Sequence, residues 1–207
     1  MPWIITAAAI SYLIGSVPTG YLFGRILKGI DIRKFGSGNM GATNVLRVLG
    51  KKAGVTVLIL DMLKGFLPVM FLGNLLIFKV AFLSPETLRV IIGLSCISGH
   101  NWTVFLNFKG GKGVATTIGV LAALAVKVPG MKLILALVLV TWLAVFIFSR
   151  VVSLASVVSG IAFPVYAFVF GQAATMKSLS VLLALFIILR HKSNLQRFLR
   201  GEEKRLF

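Results

Sequence analysis

The sequence predicts an all-α integral membrane protein with seven transmembrane helices, the N-terminus outside and the C-terminus cytoplasmic. Three observations predict this. The chain is 58% hydrophobic and only 13% charged, where a soluble domain has about 45–50% apolar and about 25% charged residues. Apolar runs recur at the roughly 20 residues that a spanning helix needs. The basic residues collect on one set of alternating connections.

The predicted spans are 3–27, 53–78, 87–107, 113–128, 131–149, 151–171 and 176–190. The fourth and last are short, and 113–128 also suits a buried or tilted helix. The first run has no basic stretch ahead of it, unlike a secretory signal, so it is expected to stay as the first span. Its Gly20-x-x-x-Gly24 spacing is expected to admit a neighbouring helix. Pro18, Pro68 and Pro164 lie inside runs, as a bilayer helix tolerates when neighbours satisfy the freed backbone groups. Pro129-Gly130 is a turn between the fourth and fifth runs. No repeat or linker divides the chain, so a single domain over 1–207 is expected. The one cysteine, Cys96, excludes an internal disulfide and offers no metal pair.

With the N-terminus outside, sixteen lysines and arginines fall in or beside the cytoplasmic segments, five fall outside, and Lys64 lies within a span. That is the positive-inside pattern. The net charge of +17 therefore reflects topology and anionic lipid rather than nucleic acid.

The cytoplasmic face holds four polar clusters. "GSGNMGATN" (36–44) matches G-x-G-x-x-G in its first six residues, but that pattern means dinucleotide binding only inside a βαβ unit. Between two spans no such unit fits. Gly36 and Gly38 still allow backbone amides to face an anion, and Ser37, Asn39, Thr43 and Asn44 add short donors. Arg47, four residues after Thr43, shares its helical face and offers a fork suited to phosphate. The second cluster, Lys109-Gly110-Gly111-Lys112-Gly113, resembles a phosphate loop without being one. Residue 106 is Leu, and Gly113 stands where a magnesium-binding Ser or Thr belongs. It is still an anion site at a helix mouth, or else a tight basic turn. The third cluster contains His191, Asn194 and Arg197. The fourth pairs Ser149 with Ser153, as ligands or as helix caps.

Asp61 and Lys64 lie inside the second span at i, i+3 and are expected to pair there, holding helices together or serving transport. His100, followed by Asn101, is expected to be structural. Only five acidic residues occur, with no carboxylate pair for acid–base hydrolysis or for a metal. Phe105 and Gln196 stand where an H-x-x-x-x-D acyltransferase motif would place Asp after His100 and His191. The chemistry expected is positioning and electrostatics on phosphate-bearing ligands. A carrier for a phosphorylated solute and a lipid-binding scaffold are the rival classes. The one-sided clustering disfavours the carrier, whose site belongs near the midplane.

Four stretches in order, "GSGNMGATNVLR" (36–47), "GHNWTVFLNFKGGKGVATT" (99–117), "SRVVSLAS" (149–156) and "RHKSNLQRFLRGEE" (190–203), resemble the bacterial acyl-phosphate:glycerol-3-phosphate acyltransferases. "GSVPTGYLFG" (15–24) and "DMLKG" (61–65) extend the resemblance over nearly the whole chain. Leu195 and Ser193 depart from the family pattern. The resemblance implies a seven-helix enzyme of the bacterial inner membrane with a cytoplasmic active site. It would move a fatty acyl group from acyl phosphate to the sn-1 hydroxyl of glycerol 3-phosphate, giving lysophosphatidic acid and inorganic phosphate. Its partners would be these substrates and membrane lipid; no cofactor, metal, nucleic acid or obligate protein partner is implied. Amides near Ser37 and Gly38, with Asn39, Thr43 and Arg47, would hold the acyl phosphate. Lys109, Lys112 and the intervening glycines would hold glycerol 3-phosphate. His191 and Asn194 would orient its hydroxyl, with His191 as general base in a competing version.

Overall fold

The computed structural model describes residues 1–206, and among them it contains helices and no strand. Two compact units are distinguished, 1–124 and 125–207. The first holds α1 (Pro2–Ser16), α2 (Thr19–Lys28), α3 (Ala42–Leu49), α4 (Lys51–Lys79), α5 (Pro85–Asn101) and most of α6 (Val114–Lys127). The second holds α7 (Met131–Ser149), α8 (Val152–Val169) and α9 (Ala174–Leu199).

Among the described residues, five segments are long and apolar enough to cross a membrane: Pro2–Lys28, Lys51–Lys79, Met131–Ser149, Val152–Val169 and Ala174–Leu199. The chain is thus a multi-pass membrane protein. The 17-residue α5 and 14-residue α6 fall short of about 20 residues. α9 continues to Leu199, so the basic cluster expected to begin the tail at 190 is helical.

The first run is not one continuous helix. It breaks at Val17-Pro18, where proline lacks an amide proton and its ring clashes with the preceding turn. The freed groups find partners in unit 1. Thr103 Oγ1 donates to the Ser16 carbonyl at 2.6 Å, and Lys64 Nζ donates to the Val17 carbonyl at 2.9 Å. Pro68 and Pro164 stay inside α4 and α8, as expected.

The close approach of α1 and α5 uses other residues than expected. A Cβ on Gly15 would stand 2.0 Å from the Cys96 carbonyl oxygen, and the Ser11 hydroxyl donates to the Ile92 carbonyl at 2.7 Å. Gly20 and Gly24 admit loop backbone at Met40 and Ile30 rather than a helix. That loop is seated by Ile32 and Met40, which are buried with Val45, Ala53 and Val57.

Candidate active site

In unit 1, the 29–41 loop begins where Gly29, in the left-handed conformation, caps α2. Asp31 then caps the 3₁₀ turn Ile32–Lys34 and is gripped by Arg33, whose Nε and Nη2 donate to its two oxygens at 2.9 and 2.7 Å. The Arg33 guanidinium holds the Asp31 carboxyl down at about 2, overcoming a smaller upward push from burial. Arg33 and Arg25 both lie over the Tyr21 ring.

Asn44 organises the rest of this loop. It is 1% exposed. Its Nδ2 donates to the carbonyls of Ile32, Phe35 and Asn39, and its Oδ1 accepts the Ser37 amide at 2.8 Å. Two expectations are corrected here. Asn44 holds the loop instead of offering a donor to phosphate. The Ser37 and Gly38 amides are also engaged, by Asn44 and by the Phe35 carbonyl, and so do not face an anion. Gly36 and Gly38 nonetheless have the left-handed φ the sequence anticipates, 63° and 72°. Of the side chains expected here, Ser37 is exposed, Asn39 is half-buried, and Thr43 and Arg47 lie one turn apart on α3.

The 102–113 segment closes over the end of α5. Thr103 caps the 3₁₀ turn Val104–Leu106, and Asn107 and Phe108 adopt left-handed φ of 51° and 59°. The chain then lies directly on His100 and Asn101. The Gly111 amide donates to the His100 carbonyl at 3.0 Å. Cβ atoms added at Gly110, Gly111 and Gly113 would meet the His100 carbonyl oxygen at 2.1 Å, His100 Nε2 at 2.2 Å and Asn101 Oδ1 at 2.6 Å. These glycines are thus required by contact with α5, which the phosphate-loop likeness did not reveal. Lys109 is exposed and Lys112 half-buried.

Below this loop lies the Asp61–Lys64 pair, 2.8 Å apart and nearly fully buried. Asp61 Oδ1 also accepts from Thr19 Oγ1 at 2.5 Å and lies 3.8 Å from His100 Nδ1, which itself bonds Thr116 Oγ1 at 3.2 Å. The expected pairing is thus present, and Lys64 also fastens the Val17-Pro18 break through the Val17 carbonyl. Ser16–Gly20, Met40, Lys64 and His100 converge on one small pocket, so this unit brings the first glycine loop and the support of the second close together.

In unit 2, α9 presents His191 and Asn194 three residues apart, both buried. His191 Nδ1 lies 2.8 Å from the Ile187 carbonyl. A carbonyl only accepts, so Nδ1 carries the proton, and in the neutral ring Nε2 has the lone pair. Glu203, which sequence reasoning passed over, is the hub of this unit. Its Oε1 accepts from Ser153 Oγ at 2.7 Å and Asn194 Nδ2 at 2.5 Å, and its Oε2 accepts from Arg197 Nε at 2.9 Å. Burial pushes the Glu203 carboxyl up, but the bonds from Asn194, Ser153 and Arg197 outweigh it and hold it below its ordinary value. The available signal was a carboxylate in an otherwise basic tail.

Of the two serines expected as ligands or as helix caps, both make protein bonds. Ser149 Oγ donates to the Val145 carbonyl and accepts the Val151 amide, capping the turn, while Ser153 serves Glu203. The tail returns to this turn through the Leu206 amide, 2.9 Å from the Arg150 carbonyl.

Residues 5–201 match the family model described as glycerol-3-phosphate acyltransferase. The chain belongs to the glycerol-3-phosphate acyltransferase family. A glycerol-3-phosphate acyltransferase of Fusobacterium nucleatum is 41% identical over 95% of this chain and 94% of its own, and one from Aquifex aeolicus is 42% identical over 94% and 95%. Two crystal structures of PlsY (YgiH), an integral membrane glycerol 3-phosphate acyltransferase, superpose with TM-scores of 0.85 and 0.82 at 38% and 37% identity. Each covers 98% of this chain and 94% of its own. One is a glycerol 3-phosphate form and the other a lysophosphatidic acid form. Membership in the glycerol-3-phosphate acyltransferase family makes this an integral membrane acyltransferase of phospholipid synthesis.

Proposed function

We propose that the protein transfers a fatty acyl group from acyl phosphate to the sn-1 hydroxyl of glycerol 3-phosphate, releasing lysophosphatidic acid and inorganic phosphate. The chain spans the bacterial inner membrane seven times, with α5 and α6 as the two short spans. The N-terminus is outside, and the polar clusters face the cytoplasm. The basic-residue distribution and the likeness to an integral membrane enzyme support this topology. That relatives are solved in glycerol 3-phosphate and lysophosphatidic acid forms supports the acceptor and the product.

The observation that supports an activated donor is the engagement of the carboxylates. Asp31, Asp61 and Glu203 are bound to Arg33, Lys64 and the Ser153–Asn194–Arg197 group. None of the three is poised as a strong general base, which suits an acyl group that arrives already activated, as it is in a mixed anhydride with phosphate. Ser37, Asn39, Thr43 and Arg47 hold the acyl phosphate through side chains, and the guanidinium and hydroxyls stabilise the developing oxyanion. Lys109 and Lys112 bind the phosphate of glycerol 3-phosphate over the Gly110–Gly113 turn. His191, with Nε2 as acceptor, orients the attacking hydroxyl, Asn194 steadies it, and the departing phosphate takes the proton. Ser149 and Ser153 act through the turn and through Glu203.

The test uses purified protein in lipid with palmitoyl phosphate and glycerol 3-phosphate. Equal release of phosphate and lysophosphatidate, dependent on both substrates, is expected. Folded protein that makes no lysophosphatidate overturns the assignment, and labelled glycerol 3-phosphate uptake into proteoliposomes then tests the carrier. Large residual activity in H191A with an unchanged pH profile excludes His191 as general base.

A further inference from the structure

We infer that His100 is a positioning residue for the Lys109–Gly113 loop, and that its imidazole sets the height and tilt at which that loop meets glycerol 3-phosphate. The inference rests on the proposal that this loop binds glycerol 3-phosphate. His100 is 6% exposed and lies between two layers. Above, Gly111 sits so close to the ring that a Cβ there would stand 2.2 Å from Nε2, and the Gly111 amide bonds the His100 carbonyl at 3.0 Å. Below, Nδ1 bonds Thr116 Oγ1 at 3.2 Å and lies 3.8 Å from Asp61 Oδ1. Asp61 is in turn fixed by Lys64 and Thr19. The ring therefore cannot tilt away from the loop without breaking contacts to α4 and α6. The loop cannot settle lower, because its nearest backbone already touches the ring edge. Lys109 and Lys112 flank this contact point, so a shift of the loop moves both cations relative to a bound phosphate, and electrostatic positioning is sensitive to such shifts.

The asparagine replacement probes this directly. Asn places Oδ1 about where Nδ1 was and so keeps an acceptor for Thr116, while removing the Nε2 edge under Gly111. H100N should raise KM for glycerol 3-phosphate several-fold, with kcat and KM for acyl phosphate within about twofold of wild type. G111A should raise the same KM by at least about tenfold, because the added Cβ collides with Nε2. The double variant H100N/G111A should bind better than G111A by about tenfold, since the smaller side chain makes room; contacting residues show non-additivity of this size. An unchanged KM in H100N, or a double variant whose defects merely multiply, overturns the positioning role. If G111A fails to fold, recovery of folded protein in the double variant is the expected result, and no recovery counts against the proposal. K112A separates the two ideas. If K112A leaves KM for glycerol 3-phosphate unchanged, the loop assignment itself is wrong. If K112A raises it while the double variant shows no coupling, only the role of His100 fails.

Discussion

The Asn44 side chain accepts the Ser37 amide at 2.8 Å while donating to the carbonyls of Ile32, Phe35 and Asn39. One buried carboxamide thus replaces the regular secondary structure that the 35–39 backbone lacks. N44A would take the Asn44 bond from the Ser37 amide and the Asn39 carbonyl and leave the Ile32 and Phe35 carbonyls with only the Phe35 and Gly38 amides, and each buried group left unpaired costs about 1–3 kcal/mol. The expected result is local: loss of turnover and fast tryptic cleavage after Arg33 and Lys34, with the helices intact by circular dichroism. N44D should fare no better, because it keeps the acceptor for Ser37 but turns an oxygen toward three carbonyls. Wild-type protease resistance in N44A would show that the apolar anchors Ile32 and Met40 suffice.

Much of this was legible in the sequence, for physical reasons. Hydropathy is an average over many residues, so the helices emerged at nearly the right places. The Asp61–Lys64 pairing followed from the expense of lone charges in lipid. Contacts made at single atoms were not legible. "GSGNMGATN" reads as a row of donors, yet Asn44 and the Ser37 amide satisfy each other, which depends on how the loop curls. Gly110, Gly111 and Gly113 look like an anion nest, while the space they vacate belongs to His100 and Asn101. Ser149 and Ser153 differ in partner although they are four apart, because one reaches back along its helix and the other meets Glu203. Pro18 broke its helix because Thr103 and Lys64 were there to take the freed carbonyls.

Glu203 gathers three donors from α8 and α9. E203A removes all three bonds at once and should destabilise unit 2 by about 2–4 kcal/mol, with activity falling as Asn194 loses its anchor. E203Q keeps the shape and one acceptor and should fall between E203A and wild type. The folded carboxyl lies below its ordinary value, so its contribution is present above about pH 4.3 and fades as pH falls through the folded value. The difference in thermal unfolding between wild type and E203Q should therefore be larger at pH 7 than at pH 4. A gap independent of pH would mean that packing, not charge, is what Glu203 supplies.

Asp31 and Arg33 form a partly exposed pair at the start of the first glycine loop, with side chains 12% and 31% exposed. The folded Asp31 value of about 2 lies below the ordinary value of about 3.9. Its contribution is full above about pH 4 and is lost between there and about pH 2. After solvent screening, about 1 kcal/mol is the scale to expect. D31N should lower the unfolding temperature by a few degrees at pH 7 and high salt should narrow the gap, since screening weakens exposed pairs. A salt-independent gap would assign the effect to the cap that Asp31 gives the Arg33 amide.

Asp61 lies roughly 15 Å along α4 from Lys51 at about 1.5 Å per residue, deep enough that neither partner of the Asp61–Lys64 pair tolerates being left alone. Removing one charge from a buried pair costs about 3–5 kcal/mol, whereas replacing both by apolar groups is often far milder. Thermal unfolding in detergent should therefore show D61L and K64M each strongly destabilised, and D61L/K64M closer to wild type than either. The double variant will not reach wild type, because the Val17 carbonyl and Thr19 hydroxyl lose their partners. Additive losses would mean that the two residues act through those outer bonds and not through each other. The same variant separates the carrier from the enzyme. A solute path through the pair would close when both charges are gone, whereas a pair that only fastens the Val17-Pro18 break leaves acyl transfer running in whatever fraction stays folded.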